Sequence, residues 1–154
     1  MQGTYKFGGY YHNHYKITSV NADSSISRPD NYGFYFVADQ SVFKKSNGKE
    51  LSLFTQISIS PSSINSNWYY LGAGLNYKGV LKKRINDVIG LAVAHAVIKS
   101  MTKGNETTIE LTYKASVCEN IFIQPDLQYV INPSRTDEKL NNAFVASLRF
   151  GLNF

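Results

Sequence analysis

The sequence has little cysteine, no long apolar run and no recognisable leader, and each absence excludes a class of protein. Its single cysteine, Cys118, permits no internal disulfide and no cysteine-based metal or redox cluster. No stretch approaches the ~18 consecutive apolar residues of a transmembrane helix. The residues that follow Met1 have neither the charged nor the apolar region of a signal peptide, so we expect that the natural chain begins further upstream.

Charge of one sign is not concentrated either. The 16 Lys and Arg residues exceed the 11 Asp and Glu residues by a net +5, and the charges are scattered along the chain. A nucleic-acid-binding protein more often has a basic stripe interleaved with exposed aromatic residues, so no nucleic-acid partner is expected. No nucleophile elbow, metal-binding motif or phosphate-binding loop is present. We therefore expect no enzyme, no cofactor and no metal site.

What the sequence does have is aromatic residues and a period of two. Eleven Tyr and nine Phe residues suit β-strands, and tyrosine also suits a boundary between water and hydrocarbon. No amphipathic helix stands out. Alternation of apolar and polar residues instead predicts eight strands. Their expected bounds are 3–12, 33–43, 50–60, 67–78, 88–99, 107–117, 121–131 and 142–154.

The last predicted strand has the clearest alternation. Its apolar parity consists of Phe144, Ala146, Leu148, Phe150, Leu152 and Phe154. Its other parity consists of Ala143, Val145, Ser147, Arg149, Gly151 and Asn153. Since successive side chains of a strand point to opposite faces, the segment predicts an apolar wall with a mostly polar reverse.

Three features favour a barrel in a membrane over a barrel in water. The strands are near the ~9–11 residues that a tilted strand needs to cross hydrocarbon. Aromatic residues collect near strand ends, as in the girdles of membrane barrels, and we assign Trp68, Tyr69, Tyr77 and Tyr129 to such a girdle. Charged residues in mid-strand, such as Glu110 and Arg149, are tolerable in a wet lumen and costly in a dry core. The predicted fold class is therefore all-β, an antiparallel transmembrane β-barrel.

The lengths of the connections agree with a membrane barrel whose C-terminus is periplasmic. Membrane barrels keep short turns on the periplasmic side and longer loops outside. The short connections 44–49 and 118–120 are then periplasmic, and the longer ones are external. The 79–87 connection fits worst, because it is long for a periplasmic turn. Pro125, inside a predicted strand, predicts a bulge or a local bend there.

The segments that contain these strands resemble a known family. Residues 110–114 (ELTYK) and 124–133 (QPDLQYVINP) look like the C-terminal hallmark of the carbohydrate-selective porins. Further similarity lies at 33–40, 77–79 and 87–94. The resemblance implies a barrel of sixteen strands in the outer membrane of a Gram-negative bacterium, through which sugars diffuse passively. With about eight strands, residues 1–154 would be the C-terminal half as a single segment, with the N-terminal strands and the signal peptide missing. The final strand and Phe154 also resemble the signal that the barrel-assembly machinery recognises.

The polar parity supplies the candidate site. We expect Glu110, Lys114, Gln124, Asp126, Gln128 and Arg149 to line the lumen. They would contact a sugar path, or they would simply solvate the wall and form pairs between strands.

Several partners and functions follow from these expectations. The expected partners are outer-membrane lipid, small neutral sugars, the assembly machinery, and either the missing half or a second copy. The alternative is a self-closed eight-stranded barrel with an anchoring or adhesion role. Side chains would fill the interior of such a barrel. An outer-membrane enzyme or a soluble binder would be further classes.

Overall fold

The computed structural model describes residues 2–13, 30–99, 105–133 and 140–152, and every regular element in these ranges is a strand. The strands are β1 (Gly3–His12), β2 (Asn31–Lys44), β3 (Glu50–Ile59), β4 (Asn67–Lys78), β5 (Val88–Ile98), β6 (Asn105–Cys118), β7 (Ile121–Ile131) and β8 (Ala143–Leu152). Each is antiparallel to the next, in one sheet ordered β1 to β8. The predicted all-β antiparallel architecture is confirmed, and each predicted strand begins within two residues of the observed one. The described ranges contain no helix with the length and apolarity to cross a membrane.

Alternation along the strands gives the sheet two faces of opposite character. The pairing across β3 to β7 aligns one row of Ser52, Asn76, Gly90, Thr112 and Asp126. The adjacent row, on the other face, is Leu53, Leu75, Leu91, Leu111 and Leu127. We call the face of the first row the polar face and the face of the second row the apolar face.

The apolar face is the more accessible of the two. Leu53 is 43% exposed and Leu111 is 47% exposed. No apolar side chain of the described residues is buried, whereas Asp87 and Asp126 are each only 1% exposed. A soluble protein distributes the two kinds of side chain in the opposite way. The apolar face therefore requires an apolar surrounding outside the chain.

The connections fall at two ends of the sheet, which we name by their length. At the turn end lie the connections 45–49, 79–87 and 119–120, and at the loop end lie the connection 60–66 and the strand ends His12, Asn31, Ile98, Asn105, Ile131 and Ala143, which flank the longer connections. In the first of the turns Gly48 has φ of 82°, a left-handed conformation that glycine adopts at little cost. The amide of Lys45 closes this turn on the carbonyl of Lys49 at 2.9 Å.

Among the described strands, bulges shift the register at three places. They lie between Ser41 and Phe43, between Asn67 and Tyr69, and between Ser116 and Cys118. Of the bulge or local bend predicted at Pro125, the bulge is absent, and the bend stays a prediction. Pro125 pairs with Leu148 on β8, and the register with β6 is the same on both sides of it, although the ladder with β6 is interrupted there. A missing amide therefore removes pairs locally without shifting the strand.

The outer strands of the sheet are β1 and β8. Within the described residues each pairs on one side only, β1 with β2 and β8 with β7, and no contact joins β1 to β8. The described strands thus form an open sheet. They do not form the self-closed eight-stranded barrel that was the alternative expectation.

Candidate functional site on the polar face

Two adjoining cavities lie along the middle of the polar face, and a further cavity of about 650 Å³ follows at the turn end. The larger of the first two, of about 360 Å³, is lined from β3 to β7 by residues that include Glu50, Lys78, Val88, Lys114 and Gln124. Five flat strands would span about 19 Å at the usual ~4.8 Å spacing. Side chains from all five can therefore surround one cavity of this size only if the sheet curves around it. The polar face is the concave side of a trough.

A charged cluster lies beside these cavities on β6, β7 and β8. Asp126 accepts a hydrogen bond from Arg149, whose Nη2 lies 2.7 Å from its Oδ2. The same Nη2 lies 3.9 Å from Oε1 of Glu110. Gln128 donates from Nε2 to Oε2 of Glu110 at 3.3 Å. Four of the six residues predicted for the polar face thus meet in one network, which carries two carboxylates and one guanidinium.

The register explains why these four side chains meet. Glu110 of β6 pairs with Gln128 of β7, and Arg149 of β8 pairs with Gln124 of β7. Asp126 lies on β7 between Gln124 and Gln128 and has the same parity. All four side chains of the network therefore stand on the same face of three consecutive strands. The Asp126 carboxylate is 1% exposed, and the Arg149 side chain that covers it is 54% exposed. Water and solutes therefore reach the guanidinium while the carboxylate behind it stays covered.

The two remaining predicted residues stand nearer the turn end. Lys114 and Gln124 both line the larger cavity. The Lys114 ammonium lies 4.0 Å from the centre of the Phe122 ring, a cation–π arrangement that orients the side chain. All six predicted residues lie on the polar face, but only four of them form the network.

Sequence reasoning missed Phe54, Asn76 and Lys78. Phe54 and Asn76 line a smaller cavity of about 220 Å³ together with Glu110, and Lys78 lines the larger one. A Cβ atom on Gly74 would lie 2.5 Å from the Phe54 ring, so the glycine makes room for it. The signal was present, since Phe54 is an aromatic residue on the polar parity of its strand.

The aromatic residues assigned to a girdle occupy both ends of the sheet. Tyr69 and Tyr129 lie near the loop end, and Tyr77 lies near the turn end, all three on the apolar face. Trp68 is the extra residue of the β4 bulge, and its ring centre lies 6.0 Å from that of Tyr69. Phe154, the expected assembly signal, lies outside the described residues.

The 79–87 connection is a folded turn attached to β6. The buried carboxylate of Asp87 accepts hydrogen bonds from Nε of Arg84 at 2.5 Å, from the amide of Ser116 at 3.1 Å, and from the hydroxyl of Tyr113. Arg84 also donates to the carbonyl of Ser116 at 3.2 Å. These bonds explain how a connection of this length stays compact at the turn end.

The same contacts set the ionisation of Asp87. Burial by itself raises the pKa of Asp87, but the hydrogen bonds from Arg84, Tyr113 and Ser116, with the Arg84 charge, outweigh it and lower the pKa. Its partner responds in the other direction, because the hydrogen bond to Asp87 raises the pKa of Arg84. Both groups are therefore held in their charged forms.

An exposed apolar face and a concave polar face with charged residues define one class of protein. This is the wall of a membrane β-barrel, which separates hydrocarbon from a water-filled lumen. The family described as "Carbohydrate-selective porin, OprB family" matches residues 1–154, and the chain belongs to this family. The predicted family is confirmed, and its members are channels.

Two relatives agree with this assignment. The chain is 25% identical over 186 aligned residues to a protein named Porin B from Pseudomonas aeruginosa, and the match covers 97% of this chain and 40% of that one. A solved structure described as the high pH structure of Pseudomonas putida OprB superposes with a TM-score of 0.81 at 24% identity, over 99% of this chain and 44% of that one. The chain thus spans less than half the length of either relative, and the superposition establishes the porin-barrel fold.

Proposed function

We propose that this chain forms part of the wall of an outer-membrane channel through which carbohydrates diffuse passively. The observation that carries the proposal is the inverted polarity of the sheet. Apolar side chains are exposed on one face, while Asp126, Glu110 and Arg149 cluster on the concave other face. Only a wall with lipid outside and water inside satisfies both faces. The family match supports carbohydrates as the solute class.

The smaller cavity has the chemistry that a neutral sugar needs. A sugar ring has apolar C–H faces and a rim of hydroxyl groups. Phe54 offers a flat apolar surface, and Glu110, Asn76 and Gln124 offer hydrogen-bond acceptors and donors around it. The six polar-face residues predicted from the sequence and Phe54 are therefore our candidates for the sugar path.

The aromatic residues fit a membrane of ordinary thickness. From Tyr69 to Tyr77 the strand rises about 26 Å, or about 20 Å along the membrane normal at a tilt of about 40°. Membrane barrels have an apolar band ~25 Å tall between their girdles. We therefore propose that Tyr69, Tyr129 and Trp68 mark the external interface and that Tyr77 marks the periplasmic one.

The channel needs strands besides the eight described. In hydrocarbon each unpaired backbone group costs several kcal/mol, so the free edges of β1 and β8 require partners. We propose that residues 1–154 are the C-terminal half of one barrel, closed along both edges by an N-terminal half or by a second copy. The coverage of 40% and 44% of the relatives supports such a division. We propose also that Phe154 serves the assembly machinery.

Planar-bilayer conductance of the refolded chain, with glucose added to test for block, examines the proposal. If stacking on Phe54 buries about 40 Å² of ring, it contributes about 1 kcal/mol at ~25 cal/mol/Å². Phe54→Ala should then weaken the block about fivefold. Leu53→Ala, the neighbour on the apolar face, is the matched control and should leave it unchanged. Conductance that glucose does not block would contradict the proposal, and a folded, heat-modifiable chain without conductance would exclude closure by a second copy.

A further inference from the structure

Two lysines face each other across one strand of the polar face. The pairing aligns Lys78 of β4, Val88 of β5 and Lys114 of β6 in one row. Their strands lie about 10 Å apart, and both lysine stems are long and flexible. Both lysines line the 360 Å³ cavity and also the neighbouring cavity of about 650 Å³ at the turn end. The two ammonium groups can therefore reach one ligand above Val88.

Within the described residues, no salt bridge neutralises either lysine. Glu50 lies beside Lys78 in the same row and lines the 360 Å³ cavity, but its carboxylate is 3.9 Å from the ammonium of Lys44. Glu119 lines the 650 Å³ cavity. Within the described ranges neither Lys78 nor Lys114 has a carboxylate within 4 Å. The Phe122 ring orients Lys114 without neutralising it.

The guanidinium in the mid-strand cluster, in contrast to the two lysines, has carboxylates within 4 Å. Arg149 lies between the carboxylates of Asp126 and Glu110, so that cluster has a net negative charge. The polar face therefore changes sign along its length, and the cationic part lies towards the turn end. A concave site with low-dielectric walls concentrates counter-ions at such a place.

Neutral hydrogen-bonding groups surround the lysine pair. Ser52, Asn76, Thr112 and Gln124 line the same 360 Å³ cavity. A simple inorganic anion would use the two ammonium groups and leave these side chains to water. A ligand with one anionic group and several hydroxyls would use both sets.

We propose that this cavity, the lysine cleft, binds anionic monosaccharides such as hexuronates. The ligand's carboxylate lies between Lys78 and Lys114, and its hydroxyls bond to Asn76, Thr112 and Gln124. The inference rests on the proposed function and extends its solutes from neutral sugars to sugar acids. It also predicts the order of contacts along the channel. An acidic sugar that passes the anionic cluster is then held by the lysine cleft at the turn end.

The test measures binding to the refolded chain in neutral detergent by saturation-transfer NMR. The probes are glucuronate, glucose and acetate, each at low salt and at 1 M salt. We expect glucuronate to bind about tenfold more tightly than glucose or acetate. At 1 M salt, where the screening length falls to about 3 Å, the preference should disappear.

Charge-removing variants locate the site. Lys78→Gln should weaken glucuronate binding about fivefold and leave glucose binding unchanged, and Lys114→Gln should weaken glucuronate binding at least fivefold. Lys78→Arg keeps the charge and should keep the preference. Lys82→Gln, in the 79–87 turn and outside the cavity, removes the same charge and should have no effect. Heat-modifiable migration of each variant reports that it has folded.

Three outcomes would overturn the inference. Equal binding of glucuronate and glucose would remove the anion preference. Acetate binding as tight as glucuronate would indicate a site for simple anions. An equal loss in Lys82→Gln would show that only net charge matters. Because the readout is binding, a chain that binds glucuronate but whose conductance glucose does not block would refute the proposed function alone. A glucose-blocked channel without the preference would refute this inference alone.

Discussion

Replacement of Asp87 by asparagine should loosen the turn that joins β4 to β5. The carboxylate accepts hydrogen bonds from the Arg84 guanidinium, the Ser116 amide and the Tyr113 hydroxyl. An asparagine side chain has the same shape but only one acceptor oxygen, and its NH₂ group would face these donors. The substitution therefore removes a charge and at least one buried acceptor from a site that is 1% exposed.

The contacts give the expected magnitude. Hydrogen bonds to charged groups contribute ~1.5–3 kcal/mol each, but they are not additive. The Arg84 side chain is 44% exposed, so water replaces its lost partner at little cost. The Ser116 amide and the Tyr113 hydroxyl are less easily satisfied. We therefore expect Asp87→Asn to lower the free energy of unfolding by about 2 kcal/mol at pH 7.

The same substitution should change the pH dependence of stability. Burial raises the pKa of Asp87, but the hydrogen bonds and the Arg84 charge together lower it below its ordinary value. The folded state thus binds this proton less readily than the unfolded state does. The stabilisation is complete above the ordinary carboxyl pKa of ~4 and is lost as the pH falls through the folded-state value. The difference between the parent and Asp87→Asn should therefore stay constant from pH 7 down to about pH 5 and shrink as the pH falls further.

Urea unfolding of the refolded chain in lipid vesicles, followed by the emission of Trp68, measures both effects. Asp39→Asn removes an exposed carboxylate on β2 and is the matched control, with an expected change within about 0.5 kcal/mol. The reasoning would be refuted if Asp87→Asn stayed within that margin at pH 7. A difference of 2 kcal/mol that did not shrink in acid would refute the electrostatic part of it.

Two further substitutions examine the two faces. In a double-mutant cycle, Arg149→Gln and Asp126→Asn should couple by about 1–3 kcal/mol in urea unfolding, and additive effects would contradict the pair. On β5, Val93→Arg places a charge in the middle of the apolar face and should destabilise the folded chain in lipid by about 2–4 kcal/mol. Ala94→Arg, its neighbour on the polar face, should be tolerated, and equal losses in both variants would mean that the faces are wrongly assigned.

The residues predicted for the polar face show how far local pattern reaches. Glu110, Lys114, Gln124, Asp126, Gln128 and Arg149 all lie on that face, because a period of two needs only neighbouring residues to be read. Phe54 was missed because the sequence does not show which side chains of other strands lie beside this single aromatic residue on the polar parity. No bulge occurs at Pro125, while β6 has one between Ser116 and Cys118 that the sequence did not predict, since backbone geometry on both strands decides where an extra residue is accommodated.

The sequence by itself determined the eight strands, their two faces and the family, because alternation and local motifs are written residue by residue. Only the tertiary structure decided which side chains meet. Arg149 reaches Asp126 and Glu110, and Lys78 faces Lys114 across Val88, through pairing between residues far apart in the chain. Turns and bulges set that register, and a slip of one residue would move every side chain to the other face. Alternation along one strand does not determine how that strand is paired with its neighbour.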